Sequence, residues 1–367
     1  MAKWVFASPS RYVQGAGMLG NLGTHLAALG KSAFILADDT TWGVVGRGAE
    51  AAMQGKVTFR REAFGGEASS AEIRRMAGLA REGGADVIVG MGGGKAMDTA
   101  KATADELGLP VAIVPTIAST DAPCSALSVI YSEDGVFETY RFYSKNPDLV
   151  LVDTAVCAKA PVRLFASGIA DGLATNVEAK ATWRSRSRTM AGGAQTIAGG
   201  AIAQVCEETL FAYGVSAYRA VEQGLVTPAV EAVVEAATLL SGLGFENGGL
   251  AAAHAIHNGF TALEGDIHHL THGEKVAYGI LVQLVLDQQP FEEFARFVRF
   301  FRAIKMPVSL RELHIEGVSR QDLLKVAALA NSPNDTLRNL SADFSDEEIA
   351  DAIAATDVLA ASVDPHL

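Results

Sequence analysis

The sequence predicts a doubly wound α/β domain followed by an all-helical one. Two observations carry this. Short apolar runs bounded by Gly, Pro or Asp alternate with helical stretches over the first 160 residues, and after that β-branched runs give way to long Ala- and Leu-rich segments. A length of 367 residues agrees with two domains at about 150 residues each.

The strand candidates are Ala33 to Ala37, which ends against Asp38, then Val57 to Phe59, Asp86 to Gly90, Val111 to Val114 after Pro110, and Leu149 to Val152. Runs of this length and apolarity suit a parallel sheet covered on both faces. Ser70 to Arg81 and Ala96 to Glu106 read as helices between them, as do Gly199 to Ala212, Pro228 to Leu243 and Val276 to Leu286 in the second half, because Ala and Leu are strong helix formers. With neither an internal repeat nor a low-complexity linker to mark it, the boundary is set by texture, giving an expected division of 1–161 and 162–367.

Hydrophobic residues make up 49% of the chain and charged residues 20%, enough apolar material for real cores and too little charge for disorder. Asp and Glu outnumber Lys and Arg by 42 to 30, a net charge of −12, so no basic stripe for nucleic acid is expected. Arg184, Arg186 and Arg188 are the one basic cluster, and they read as a solvated helix end or loop. No apolar run reaches the ~18 residues of a membrane span, and residues 1–10 lack a secretion signal. Three widely spaced cysteines, Cys124, Cys157 and Cys206, form no CxxC motif and no even disulfide framework. A cytoplasmic protein with no membrane partner is expected.

Gly90-Met91-Gly92-Gly93-Gly94-Lys95 joins the strand at Val87 to a helix. A glycine-rich strand-to-helix turn lets backbone amides approach a pyrophosphate at the helix N-terminus. The pattern is neither GxGxxG nor a P-loop, so a plain tight turn is the competing reading. Asp38, at a strand end, is placed to accept hydrogen bonds from an adenosine ribose and to favour NAD over its 2′-phosphate form; Asp39 beside it could do the same, and such an acid is also a common turn former.

Five of the eight His residues lie between 254 and 272: His254, His257, His268, His269 and His272. His254 and His257 fall on nearly one face of an Ala-rich helix. Imidazoles on rigid helices are good ligands for zinc or iron, although a lone His there is more often a satisfied core residue. A carboxylate partner is expected; Asp171, amid small and apolar residues, is one candidate, and Asp266 and Glu274 are others.

These motifs resemble those of bacterial glycerol dehydrogenases, within the iron-containing alcohol dehydrogenase superfamily. The resemblance runs nearly end to end. It is densest in Phe64-Gly65-Gly66-Glu67, in Gly92 to Lys95 with Asp98-Thr99-Ala100-Lys101, in the long stretch Pro115 to Tyr131, in Gly244 to His254, and in His272-Gly273-Glu274-Lys275-Val276-Ala277. It implies a nucleotide-binding α/β domain, a helical domain, and an active site in the cleft between them. It implies metal ligands Asp171, His254 and His272, and an NAD site of Asp38, Gly93, Gly94, Lys95, Asp98, Thr116, Ser119, Ser125, Leu127 and Tyr131. Asp121 would touch the polyol, as would Phe245 in the Gly244-to-His254 motif, and the chain would form a homo-oligomer, often an octamer. Iron-using relatives carry a His four residues after the aspartate ligand, where this chain has Thr175. Three protein ligands and one open position are the pattern of a catalytic Zn2+.

The expected activity is therefore oxidation of glycerol or a related vicinal diol at C2, to dihydroxyacetone in the case of glycerol, with hydride transfer to NAD. Asp121 would hold a neighbouring hydroxyl, and His257 is a candidate to support the ligands. The alternatives are a dehydroquinate-synthase-like lyase, another polyol or alcohol dehydrogenase on the same scaffold, and a metal- or nucleotide-binding protein without catalysis. The lyase would need several Lys and Arg near the His cluster, where only Lys275 is close; glycerol phosphate is disfavoured for the same reason, and a butanol-type substrate by Thr175 and Asp121.

Overall fold

A computed structural model describes residues 3–364. The chain forms two compact units. One comprises residues 7–165 and 219–242; the other comprises the N-terminal six residues, 166–218 and 243–367. The expected border at 161/162 thus falls four residues before a unit boundary, and neither unit is continuous in sequence.

The first unit is built on strands β1 (Tyr12–Gly15), β2 (Ser32–Ala37), β3 (Thr58–Ala63), β4 (Val87–Gly92), β5 (Val111–Pro115) and β8 (Leu149–Asp153). All neighbours pair in parallel, in the order β1-β8-β5-β4-β2-β3, with Ile35 opposite Val89 and Gly90 opposite Ile113. Helices α1 (Leu22–Leu26), α2 (Asp39–Met53), α3 (Ser70–Glu82) and α4 (Gly94–Leu107) lie between the strands in sequence, and α5 (Thr154–Cys157) follows β8. Apolar strand residues such as Ile35, Val89, Val114 and Leu151 pack with Leu22, Leu26, Val45 and Met53 into one core. Burying each large side chain of this kind contributes about 1.5–3 kcal/mol.

All five expected strands form. β1 and an antiparallel hairpin, β6 (Leu127–Tyr131) with β7 (Phe137–Phe142), were not expected. β1 is a half-buried edge strand with no apolar run. The hairpin carried a readable signal, two β-rich runs joined by Ser132-Glu133-Asp134-Gly135. It is tied down where the Tyr131 amide donates to the Ala68 carbonyl.

The rest of the chain is helical: α6 (Val162–Ser185), α7 (Ile197–Val221), α8 (Pro228–Glu235), a π turn over Ala236–Leu240, α9 (Ser241–Gly248), α10 (Ala252–Gly259), α11 (His272–Leu286), α12 (Phe291–Ala303), α13 (Arg320–Ala330) and α14 (Asp346–Ser362). The second unit's core gathers Ile256, Phe260, Tyr278, Val282, Val326 and Ile353 from α10, α11, α13 and α14 and their flanks. Residues 219–242 join the sheet unit through polar contacts: Tyr12 Oη lies 2.7 Å from Thr238 Oγ1, Gln14 Nε2 donates to Glu231 Oε2, and Thr154 Oγ1 donates to Glu231 Oε1. By length and composition the run Pro228–Gly248 passes as a membrane span, contrary to the expectation that no segment would, with a mean hydropathy of 1.3 over its apolar window; 56% of that window is buried inside the protein. Arg184, Arg186 and Arg188 sit exposed at the end of α6, with Arg184 paired to Asp287 at 2.7 Å.

Candidate active site

Strand order alone locates one candidate site. The chain passes from β2 outward to β3, then returns to lay β4 on the other side of β2. Ligands bind at the carboxyl ends of parallel strands where the order reverses in this way. Asp38 follows β2, Gly93 to Lys95 follow β4, and Thr116 and Ser119 follow β5. Gly92 has φ +145°, a backbone that L side chains rarely adopt, and the Cβ it lacks would stand 3.8 Å from Asp38 Oδ2. The bend therefore brings the glycine turn against Asp38. Gly93 caps α4 with no side chain over its first amides, so these amides and the positive end of the helix dipole suit a phosphate.

The remaining residues expected around NAD have partners that explain their placement. Asp38 caps α2, accepting from the Thr41 amide at 2.8 Å and the Thr41 hydroxyl at 2.7 Å. Burial would raise its carboxyl; the Thr41 bonds outweigh this and hold it below the usual carboxylate value. Asp39 turns instead to Arg61, at 2.6 Å. Lys95 pairs with Glu67 and lies 5.3 Å over the Tyr131 ring. Asp98 is buried, 2.9 Å from Lys101 Nζ, and its Oδ2 accepts from the Val129 amide. Lys101 also donates to the Ala122 and Leu127 carbonyls and to Ser125 Oγ. Asp121 is buried, and its Oδ2 accepts from Ser241 Oγ at 2.8 Å, just past the π turn. Lys101 and Ser241 thus shape the 121–127 loop. Sequence reading missed both roles, although Lys101 stood in a quoted motif.

The second unit holds a different cluster. Asp171 Oδ1, His254 Nε2 and His272 Nε2 are ligand-type atoms lying within 4.8 Å of one another. Asp171 Oδ1 is 3.3 Å from His254 Nε2 and 3.0 Å from His272 Nε2. The motif His272-Gly273-Glu274 explains the arrangement residue by residue. Thr271 and Glu274 form a capping box that starts α11, which makes His272 its first residue. Gly273 sits so close to α6 that a Cβ would collide with the Ser167 carbonyl oxygen, and its amide donates to Ser167 Oγ. Asp171 lies one turn beyond Ser167. A Cβ on Gly279 would likewise strike the Ala253 carbonyl, beside His254.

Glu178, two turns after Asp171 on α6, was not singled out from the sequence. Its Oε2 lies 2.6 Å from His254 Nδ1, and its Oε1 accepts from the Ala251 and His254 amides. Burial would raise the Asp171 carboxyl, but the His272 and His254 rings hold it well below the usual range. Burial opposes protonation of His254, yet Glu178 and Asp171 raise it well above the usual imidazole value. Two fully buried carboxylates around imidazoles form a strongly cation-attracting pocket.

Other candidates stay outside the group. His268 and His269 are exposed on a short 3-10 turn, and Asp266 is exposed with them. Glu274 is used in the cap. His257 is buried, its ring 4.2 Å from that of His272, with Nδ1 3.1 Å from Asn258 Oδ1. Thr175 is fully buried, and its methyl faces Gly244. Phe245 is buried on α9. Among the described residues no fourth His, Cys, Asp or Glu joins the three at that spacing. One anionic oxygen and two ring nitrogens on rigid helices fit a divalent cation with an open coordination position.

A parallel sheet with an anion-ready turn and a helical unit carrying an Asp-His-His group fit the metal-containing alcohol dehydrogenases, and the comparisons with known proteins assign the chain to that class. Residues 9–154 match the family model for iron-containing alcohol dehydrogenase. The chain is 48% identical to glycerol dehydrogenase of Thermotoga maritima, over 95% of each chain. It is 46% identical to a glycolaldehyde reductase of Halobacterium salinarum, over 96% of this chain and 97% of that one. The crystal structure of glycerol dehydrogenase from Schizosaccharomyces pombe superimposes with a TM-score of 0.95 at 45% identity, covering 98% of this chain and 92% of that one. The chain belongs to the iron-containing alcohol dehydrogenase family, and within it to the glycerol dehydrogenase group.

Proposed function

We propose that this chain oxidises glycerol and related vicinal diols at C2, passing a hydride to NAD, with a zinc ion held by Asp171, His254 and His272. The observation that carries the reading is the three-atom convergence of Asp171 Oδ1, His254 Nε2 and His272 Nε2. A cation held there would supply Lewis acidity, the chemistry that lowers the pKa of water from ~15.7 to roughly 7. With no fourth His, Cys, Asp or Glu at that spacing among the described residues, the open position favours zinc over the iron of sites closed by a further His.

In this reading Asp38 accepts from the adenosine ribose, and the Gly93–Gly94 amides at the start of α4 hold the pyrophosphate. Lys95, Thr116, Ser119, Ser125, Leu127 and Tyr131 line the rest of the NAD site. Asp98 acts through Lys101 and the Val129 amide, setting β6 and the loop before it. Asp121 accepts a hydrogen bond from the hydroxyl beside the one oxidised, and Phe245 packs against the carbon chain. Glycolaldehyde also places two oxygens on adjacent carbons, so one recognition chemistry covers the named activities of both relatives.

The decisive measurement is the rate of NAD reduction with glycerol, 1,2-propanediol and ethanol, before and after chelation. Both diols should far outrun ethanol, and chelation should abolish turnover until zinc is restored. Equal rates with ethanol, or activity that survives metal removal, would refute the reading.

The same reading places the protein in the cytoplasm as a homo-oligomer, an octamer by family resemblance. Trp4, Trp183 and Ile197 are 66%, 58% and 87% exposed in the second unit, apolar area suited to subunit contacts. Analytical ultracentrifugation gives the size directly.

A further inference from the structure

We propose that Glu178 is a positioning residue that fixes the tautomer of His254 and so sets the affinity of the site for its cation. This rests on the reading that Asp171, His254 and His272 hold the metal.

Asp171 and Glu178 are seven residues apart on α6, hence on one face of the helix. Glu178 Oε1 faces two backbone amides, of Ala251 at 2.8 Å and His254 at 3.0 Å. Those amides can only donate, so the atom at that place must be an acceptor. The other oxygen, Oε2, faces His254 Nδ1 at 2.6 Å. An ionised carboxylate accepts only, so the ring proton resides on Nδ1. When a cation takes the place of the second ring proton, the Nε2 lone pair faces it beside Asp171 and His272, while the Nδ1 proton stays with Glu178. The carboxylate thereby selects the ligating tautomer and locks the ring, the arrangement that metal-bound imidazoles require.

The isosteric change Glu178→Gln separates this role from simple helix support. The two backbone amides still demand an oxygen, so the Gln carbonyl takes the Oε1 place and its NH2 takes the Oε2 place. That NH2 donates to Nδ1, the ring proton is driven to Nε2, and the ligand atom is blocked. The contact to α10 survives while the tautomer is reversed. Sequence reading overlooked Glu178 because a Glu on a long helix looks like a solvated face residue; only its complete burial and the approach of α10 reveal the role.

The test titrates metal-free wild type and Glu178→Gln with Zn2+ against a competing chromophoric chelator, alongside thermal unfolding of both metal-free proteins. Affinity should fall about 10–100-fold in the variant, with the metal-free unfolding temperature held at the wild-type value. Wild-type affinity in Glu178→Gln would overturn the proposal, as would a loss explained wholly by unfolding of the metal-free variant. Should the variant not fold, proton and nitrogen-15 spectra of the zinc-loaded wild type decide: a His254 Nδ1 proton strongly deshielded and protected from exchange, as a bond to Glu178 requires, supports the proposal, and a freely exchanging one defeats it. A wild type that takes up no Zn2+ refutes the ligand assignment itself, a result distinct from failure of the Glu178 role.

Discussion

Asp98 and Lys101 form an ion pair 2.9 Å apart, with side chains 7% and 2% exposed, one turn apart on α4. The pair reaches outward through the bonds of Lys101 to the 122–127 loop and of Asp98 to β6. Removing one partner strands the other charge, so Lys101→Met should cost about 3–5 kcal/mol. The double change Asp98→Asn with Lys101→Met should recover much of that loss. Denaturant unfolding of the three variants checks both statements, and NAD titration of the double variant shows how far the pair matters beyond stability.

The limits of the sequence are physical. β4 was readable because Val87 to Gly90 is an uninterrupted apolar run buried on both faces. The β6–β7 hairpin was passed over despite its readable turn, because β7 has no buried residue and the pair stands outside the main sheet, with Phe142 55% exposed. Asp171, His254 and His272 came from resemblance, since composition could not separate Asp171 from Asp266 or Glu274. Their approach depends on the Gly273 contact with α6, a fact of packing that residue type alone does not express.

Removal of the metal should lower stability as well as activity. A ligand that binds only the folded state adds about 4 kcal/mol at a thousandfold excess over its Kd. Thermal unfolding with and without chelator should show a lower Tm in the metal-free protein. Asp171→Asn should remove the zinc-dependent increment.

Cofactor choice should rest on Asp38. Its carboxylate stays charged at working pH, because the Thr41 bonds lower its pKa, and a fixed negative charge repels a 2′-phosphate. The protein should prefer NAD to NADP, and Asp38→Gly should narrow the gap. Gly is tolerated as an N-cap at a cost of a few tenths of a kcal/mol, so kcat/KM with the two cofactors reads the charge rather than a loss of folding.

Substrate choice should rest on Asp121. Asp121→Asn should lose about 1.5–3 kcal/mol of binding to a second hydroxyl, which is one to two decades in kcat/KM. That loss should fall on glycerol far more than on 2-propanol, with zinc content intact. Equal losses would assign Asp121 to loop shape through Ser241 alone.

Thiol reagents should find the folded protein inert. Cys124, Cys157 and Cys206 are all buried, and burial together with nearby Asp153 pushes the Cys157 thiol up to about 12. Little thiolate forms at pH 8. Labelling with a chromogenic disulfide should report no fast thiol in native protein and three after denaturation.

The three metal-binding candidates also carry a consequence for biosynthesis. Roughly eighty residues separate Asp171 from His254, a long loop whose ends meet only after α6, α10 and α11 have docked. A nascent chain emerging from the ribosome therefore has no site to offer until the start of α11 has been made and its helices have assembled. On the proposed ligand set, ion uptake follows helix assembly, and a chain that has captured its ion is one whose helical unit has already passed its own assembly check.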